Sequence, residues 1–153
     1  MDIVINASPL ILLHRINRLH LLNELFDTVY IPSAVLSEIQ VIGKTKINLD
    51  NITYEHLKVS NTIAILGLLG RLHIGEVEVM VGALERNIKI VALDDNAARN
   101  KARQLGLNVT GTLGIILAAY KKGLISDLKR EIANLKNAGM YLSDDVISKI
   151  LFL

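Results

Sequence analysis

The side chains best suited to polar chemistry in this chain fall at a few well-defined places. Asn6 follows the apolar triplet Ile3-Val4-Ile5. Glu38 lies about one turn into a helical segment, and Glu76 opens another. Asp94 and Asp95 follow the apolar run Ile88 to Leu93. Acidic groups brought from separate elements to one point make a site for a hard divalent cation. Mg²⁺ and Mn²⁺ take carboxylate oxygens and keep several waters. Such an ion activates water and neutralises charge on a phosphodiester in flight. No other constellation competes. The four histidines, His14, His20, His56 and His73, lack metal-ligand spacing, and no phosphate-binding GxxxxGK[ST] run is present. Without cysteine there is no disulfide, thiolate zinc site or cysteine nucleophile.

Each candidate also has an ordinary structural explanation. Glu76 at a helix start favours the helix dipole. Asp94 and Asp95 suit a helix N-cap and its neighbour. Glu38 flanks an apolar stripe of Val35, Leu36, Ile39 and Ile42, where a solvated glutamate is common. What favours a site is their joint placement beside strand ends. Glu78 sits about 200° around the helix from Glu76 at the 3.6-residue period. It aligns with Glu85 on an expected solvated face, so Glu76 is the expected ligand. Arg99, Lys101 and Arg103 form a basic run just after the acids, preceded by Arg86 and Lys89. Arg99 is within reach of a phosphate at such a site, although a solvated helix face also explains the run. The Gly111-Thr112-Leu113-Gly114 turn exposes amides at a helix start, and close helix–strand packing explains its glycines equally well.

These residues need elements to position them. Ile3 to Ile5, Thr28 to Ile31, Ile88 to Leu93 and Leu107 to Thr110 read as short buried strands. Tyr54 to Ser60 is a further candidate. Ser8 and Pro9 read as N-cap and first residue of a helix to Ile16. Helices are also expected over Arg18 to Phe26, Pro32 to Val41, Asn61 onward, Gly75 to Asn87, Asp95 to Gly106, Thr112 to Lys122, Ser126 to Ala138 and Ser143 to Leu151. The Pro32 helix leads into a polar loop that opens at Gly43. Val77, Met80, Val81 and Leu84 mark the buried stripe of the Gly75 helix. Continuous apolar strands, each followed by a helix, predict a parallel sheet covered on both faces. In such a sheet, sites form outside the carboxyl ends of the strands, where the acidic residues fall.

The bulk composition agrees with this arrangement. A chain of 153 residues, 51% hydrophobic and 4% aromatic, builds one domain over residues 1–153 with an aliphatic core. Its net charge of +2 argues against a broad non-specific grip on nucleic acid, though not against a local basic patch. The N-terminal apolar run has an Asp and no basic leader, and no apolar stretch has the length of a membrane span. The expectation is a cytoplasmic protein with no membrane association.

Taken together, several stretches resemble PIN-domain proteins. Ile3 to Ile11 is similar to their opening strand and turn, and Ile31-Pro32-Ser33-Ala34-Val35 with Glu38 to their second motif. Gly75-Glu76-Val77-Glu78 resembles a GEAE-like third motif. Leu93-Asp94-Asp95 with Ala98-Arg99 resembles the DDxxAR motif of a VapC-like subgroup, as does the VTGTLGIILAAYKKGLI run. The resemblance covers nearly the whole chain. It implies a three-layer α/β/α sandwich around a parallel sheet and one Mg²⁺ or Mn²⁺ ion. It also implies cleavage of single-stranded RNA, often as the toxin of a toxin–antitoxin pair with a small antitoxin protein as partner. Carried over by position, the metal ligands are Asn6, Glu38, Glu76 and Asp95 with Asp94 adjacent. Glu38, Glu76 and Asp95 are the catalytic set, and Ser8, Arg99 and Thr112 the contacts to nucleic acid. The family carries Asp where this chain has Asn6. An amide oxygen ligates without charge, so the ion is expected to bind weakly or to be absent. This leaves a non-catalytic PIN-fold binding module as the alternative. The apolar segment Val146 to Leu153 is expected to dock on its own domain or across a homodimer.

Overall fold

The computed structural model describes residues 1–40 and 47–151. Five short strands are present among them: β1 (Ile3–Ile5), β2 (Val29–Pro32), β3 (Glu55–Leu57), β4 (Ile90–Ala92) and β5 (Asn108–Thr110). They form one sheet in the order β3-β2-β1-β4-β5, with every neighbouring pair parallel. Ile3, Val4 and Ile5 are all wholly buried, so β1 is covered on both faces. That burial explains why it carries an unbroken aliphatic run where a half-exposed strand would alternate. The architecture is the expected α/β sandwich around a parallel sheet.

The helices follow in chain order as α1 (Ala7–Arg15), α2 (Leu21–Leu25), α3 (Ser33–Ile39), α4 (Thr62–Leu68) and α5 (Ile74–Glu85). After β4 come α6 (Asn96–Gln104), α7 (Thr112–Lys121), α8 (Leu128–Asn137) and α9 (Asp144–Leu151). The α5 helix packs on β1, β2 and β4, with α3 and α4 alongside it. α1 and α2 meet α7, and α8 packs on α7 in turn. Strand order decides where a site can form. From β1 the chain moves outward through β2 to β3, then returns to lay β4 on the other side of β1. The connections leaving β1 and β4 therefore diverge, and a crevice opens at their carboxyl ends. Asn6 ends β1, and Asp94 and Asp95 follow β4.

Several boundaries differ from the sequence reading, each for a local reason. α1 begins at Ala7 with Asn6 in the cap position, so Ser8 lies inside the helix and is not its N-cap. β2 is displaced by one residue and takes in Pro32. α2 is shorter than expected because Asn17 takes a left-handed turn (φ 59°) and the chain enters the helix only at Leu21. The buried stripe of α5 contains Val77, Met80 and Val81, but Leu84 is 47% exposed. Val79 and Ala83 are buried instead, because α5 is flanked by helices as well as by the sheet. Val41, Ile42 and the start of the loop at Gly43 lie outside the described residues.

Burial of Glu131 is the main exception to the aliphatic core. Leu128, Ile132 and Leu135 form the inward stripe of α8, and Glu131 is carried inward beside them. Its side chain is 4% exposed and receives Arg18 in a two-pronged ion pair, with Nε 3.2 and 3.3 Å from its two oxygens. The pair ties α8 to the turn between α1 and α2. The carboxylate also holds the Arg18 guanidinium above its usual proton affinity, chiefly through the side-chain hydrogen bond. Removing one partner of such a pair strands the other. We expect Arg18→Met to cost about 3 kcal/mol in urea unfolding, the low end for a buried pair, because Glu131 is left uncompensated. A loss under about 1 kcal/mol would mean that water reaches Glu131 and that the pair acts like a surface one.

Candidate functional site

Asn6 leaves β1 in extended geometry (φ −84°, ψ 171°), and its backbone N–H donates to Ala92 O of β4 at 3.1 Å. The residue is 7% exposed. Its Oδ1 would stand 3.4 Å from a β-carbon on Gly75, in the first turn of α5. No hydrogen bond from another described residue reaches its amide. Glu76 lies one residue further along that turn and is also buried. Its Oε2 accepts from the backbone N–H of His73 at 3.2 Å, closing the helix start on itself.

The proton affinity of Glu76 is raised above the usual carboxylate range. Burial is the main cause, opposed by the bond from His73. Repulsion from Asp95 and, more weakly, from Glu38 pushes it further up. Three carboxylates from three separate elements thus share one electrostatic neighbourhood at the carboxyl end of the sheet. Asp95 caps α6, with its Oδ2 accepting from Ala98 N–H at 3.0 Å. Glu38, near the end of α3, is exposed and has no hydrogen bond to another described residue.

Asp94 stands apart from this group. Its Oδ1 accepts from Thr112 N–H at 2.8 Å. Its Oδ2 accepts from Thr112 Oγ1 at 2.6 Å and from Ser8 Oγ at 2.9 Å. The carboxylate therefore fastens the end of β4 to the first turns of α1 and α7. Thr112, expected to contact nucleic acid, is fully buried and spends both its donors on Asp94. Ser8 gives its hydroxyl proton to the same carboxylate. The glycines of the 111–114 turn serve packing. A β-carbon on Gly111 would come within 2.7 Å of Asp94 Oδ1 and Arg99 Nη1, and one on Gly114 within 2.4 Å of Thr110 Oγ1. Arg99 Nη1 donates to Leu93 O at 2.9 Å, which anchors one edge of the guanidinium and leaves its other N–H groups for other acceptors. Burial and then the nearby Arg103 lower its proton affinity, while Asp94 raises it.

The expected residues thus form two adjoining regions. Glu76, Asp95, Glu38 and Asn6 gather on the side of α3 and α5. Ser8, Asp94, Asp95 and Arg99 line an open groove of about 850 Å³ that runs toward the segment before α9. Asp95 belongs to both. Glu78 and Glu85, both expected on a solvated face, act as caps; Glu85 is exposed and Glu78 half-buried. Glu78 Oε1 accepts from Ala34 N–H at 2.9 Å in the first turn of α3, and Glu85 Oε1 accepts from Asn61 N–H at 2.7 Å at the start of α4. The bonds of Asp94, Glu78 and Glu85 all span the chain, so no sequence spacing could reveal them.

Whether the donors suit a hard divalent ion turns on their chemistry and spacing. Carboxylate and amide oxygens are the right donors, and an ion would relieve the crowding that raises Glu76. Among the described residues no three Asp, Glu, His or Cys side chains stand close enough together to chelate an ion as they are. Magnesium, however, usually takes one or two carboxylates and keeps water for the rest. The donor types suit such an ion, with Glu76, Asp95, Asn6 and Glu38 as the candidate ligands.

Two measurements check these assignments. Asp94→Ala should cost roughly 3 kcal/mol in urea unfolding, since it strands the buried donors of Thr112. Asp95→Ala removes only an N-cap and should cost about 1 kcal/mol. Equal losses would mean that Thr112 finds other partners. The second concerns pH. A carboxyl whose folded pKa is raised gives stability that is fully present below its unfolded pKa and is lost as pH rises through its folded pKa. Glu76→Gln keeps an acceptor for His73 and cannot ionise. Its melting temperature should exceed that of the wild type from neutral pH upward and match it in acid. Added Mg²⁺ or Mn²⁺ should raise the wild-type melting temperature and leave the variant nearly unmoved. A variant no more stable than wild type at alkaline pH would show that Glu76 ionises without cost.

No helix among the described residues is long and apolar enough to cross a membrane. A search of curated proteins finds no match. The chain does match the family DUF3368, described as a PIN domain, over residues 2–153. With a parallel five-stranded sheet and acidic residues gathered at its switch point, this protein belongs to the PIN-domain family.

Proposed function

We propose that this PIN domain is a divalent-metal-dependent endoribonuclease acting on single-stranded RNA. The observation that carries the reading is the burial of Glu76 at the carboxyl end of the sheet, where Asp95 and Glu38 repel its charge and the Asn6 amide lies against the same turn of α5. A buried carboxylate with acidic neighbours is costly unless a cation or a proton joins it. When bound, Mg²⁺ or Mn²⁺ would supply an activated water and neutralise charge on the phosphodiester. The chain's own residues then have separate tasks. Glu76 and Asp95 hold the ion, with Glu38 and the Asn6 oxygen completing the protein's share. Arg99, anchored on Leu93 O, directs its remaining N–H groups toward a phosphate. Asp94, fixed by Ser8 and Thr112, sets the direction in which Asp95 leaves β4.

The same proposal places the protein in the cytoplasm as the toxin of a toxin–antitoxin pair, with a small antitoxin protein as partner. It includes a homodimer built on α9. That helix packs on α8, buries Ile150, and leaves Val146 and Leu151 each 39% exposed. Residues 152–153 of the apolar terminal segment lie outside the described residues.

A second reading, a PIN-fold module that binds RNA or protein without cutting, is favoured by one feature. Asn6 lowers the charge of the site, and ligand charge helps set divalent-cation affinity. Cleavage of a fluorescent single-stranded RNA decides between the two. Under the first reading, cleavage needs roughly millimolar Mg²⁺ or Mn²⁺, as suits weak oxygen-ligand chelation. Asn6→Asp should tighten the ion in calorimetry and raise the rate. Glu76→Gln should abolish cleavage. RNA binding with no cleavage by wild type or by Asn6→Asp, at any metal concentration, would establish the binding module instead.

A further inference from the structure

The groove beside Asp95 is lined by an aromatic ring that the catalytic reading does not use. Tyr141 lines it and is 88% exposed, in a protein with only four tyrosines, two phenylalanines and no tryptophan. Its backbone is held firmly on both sides. Upstream, α8 ends in a Schellman turn. Gly139 takes φ +107°, its N–H donates to Lys136 O at 3.1 Å, and the N–H of Met140 reaches Leu135 O at 3.0 Å. Downstream, Leu142 is buried, and the Ser143 hydroxyl accepts from Val146 N–H at 3.2 Å to cap α9. Two anchors separated by one exposed residue fix the backbone from which the ring projects. Little backbone entropy remains to be lost when something packs on it.

The rest of the groove is suited to a phosphate-bearing chain. Arg99 lines it, and Arg103 lies one turn further along α6, close enough for each charge to feel the other. Gly111 and Gly114 line it as well. At about 850 Å³ it has room for a nucleotide. A guanidinium and a flat, exposed ring along one groove match a single strand: a phosphate on Arg99, an unpaired base on Tyr141.

We propose that Tyr141 is a stacking platform for one unpaired nucleobase of a single-stranded substrate, adjoining the acidic site through the Arg99 groove. This deepens the ribonuclease reading and rests on it. Stacking on a π-face tolerates any base, so the subsite would select single strands over duplexes and would not select sequence.

The test uses a fluorescein-labelled hexauridylate and a matching abasic ribose-phosphate oligomer. Affinity is read by anisotropy in the Glu76→Gln background, where the RNA stays intact, and cleavage is read in the wild type. Tyr141→Ala should weaken binding of the hexauridylate about tenfold, within the range of a single base–aromatic stack. Tyr141→Phe should bind like its parent. The abasic oligomer should bind Tyr141→Ala and its parent alike, because no base remains to stack. Since Tyr141 is almost fully exposed, its variants should melt at the parent temperature, and the comparison is made on folded protein. If the parent binds the hexauridylate and Tyr141→Ala binds it equally well, the subsite is overturned and the ribonuclease reading stands. If the parent does not bind it and the wild type does not cut it, both fail together.

Discussion

The Asp94 carboxylate organises the functional end of this molecule. It accepts three hydrogen bonds, from Ser8 on α1 and from the backbone and hydroxyl of Thr112 on α7. Two of these three bonds come from side-chain hydroxyls and one from the backbone of a fully buried residue. They cross the point where the chain reverses its direction of travel across the sheet. Without them, two helix starts would carry unpaired donors in the interior, a cost comparable to a lost hydrogen bond each. With them, the turn that follows β4 is fixed at Asp94, and the next residue, Asp95, leads into α6 in one direction. The neighbouring glycines belong to the same constraint, since Gly111 lacks the β-carbon that would displace both Asp94 and Arg99.

Stability and chemistry are divided between adjacent aspartates. Asp94 is saturated with donors from the protein, and Asp95 keeps one oxygen outside its capping bond. Glu76 carries the opposite tension. It closes the start of α5, yet burial and two neighbouring carboxylates disfavour its charge. A buried acid that would be easier to accommodate as an amide is a common mark of a site kept for chemistry and not for stability. Asn6 moderates the tension by presenting an oxygen without a charge, which eases folding and weakens any hold on a cation.

Elsewhere the fold relies on carboxylates as caps. Glu78 reaches across to α3 and Glu85 to α4, each satisfying helix-start N–H groups that their own helices leave open. Both emerge from α5, which is therefore more than an apolar strut against the sheet. One of its acids faces the site, and two others hold neighbouring helices in place. The distribution explains why α5 is buried beyond a single stripe.

The sequence alone determined the elements and the end of the sheet where chemistry belongs. Unbroken aliphatic runs such as Ile3 to Ile5 and Ile90 to Leu93 require cover on both faces, which forces a parallel sheet with helices between its strands. Polar residues directly after those runs must then lie at the carboxyl edge. Local signals were legible too: a cap for α6 within the Asp94-Asp95 pair, and Glu76 at the start of α5. Only the tertiary structure decided which acids are free. Asp94 looked like a ligand beside Asp95, and Thr112 and Ser8 like contacts for nucleic acid, until the fold brought residues 86 and 18 positions away onto one carboxylate. Glu78 looked solvated until α3 arrived beside it. Periodicity reports which way a side chain leaves its own helix, but not what the rest of the chain places there. For charged groups that neighbour settles whether the residue caps, pairs or stays available for chemistry.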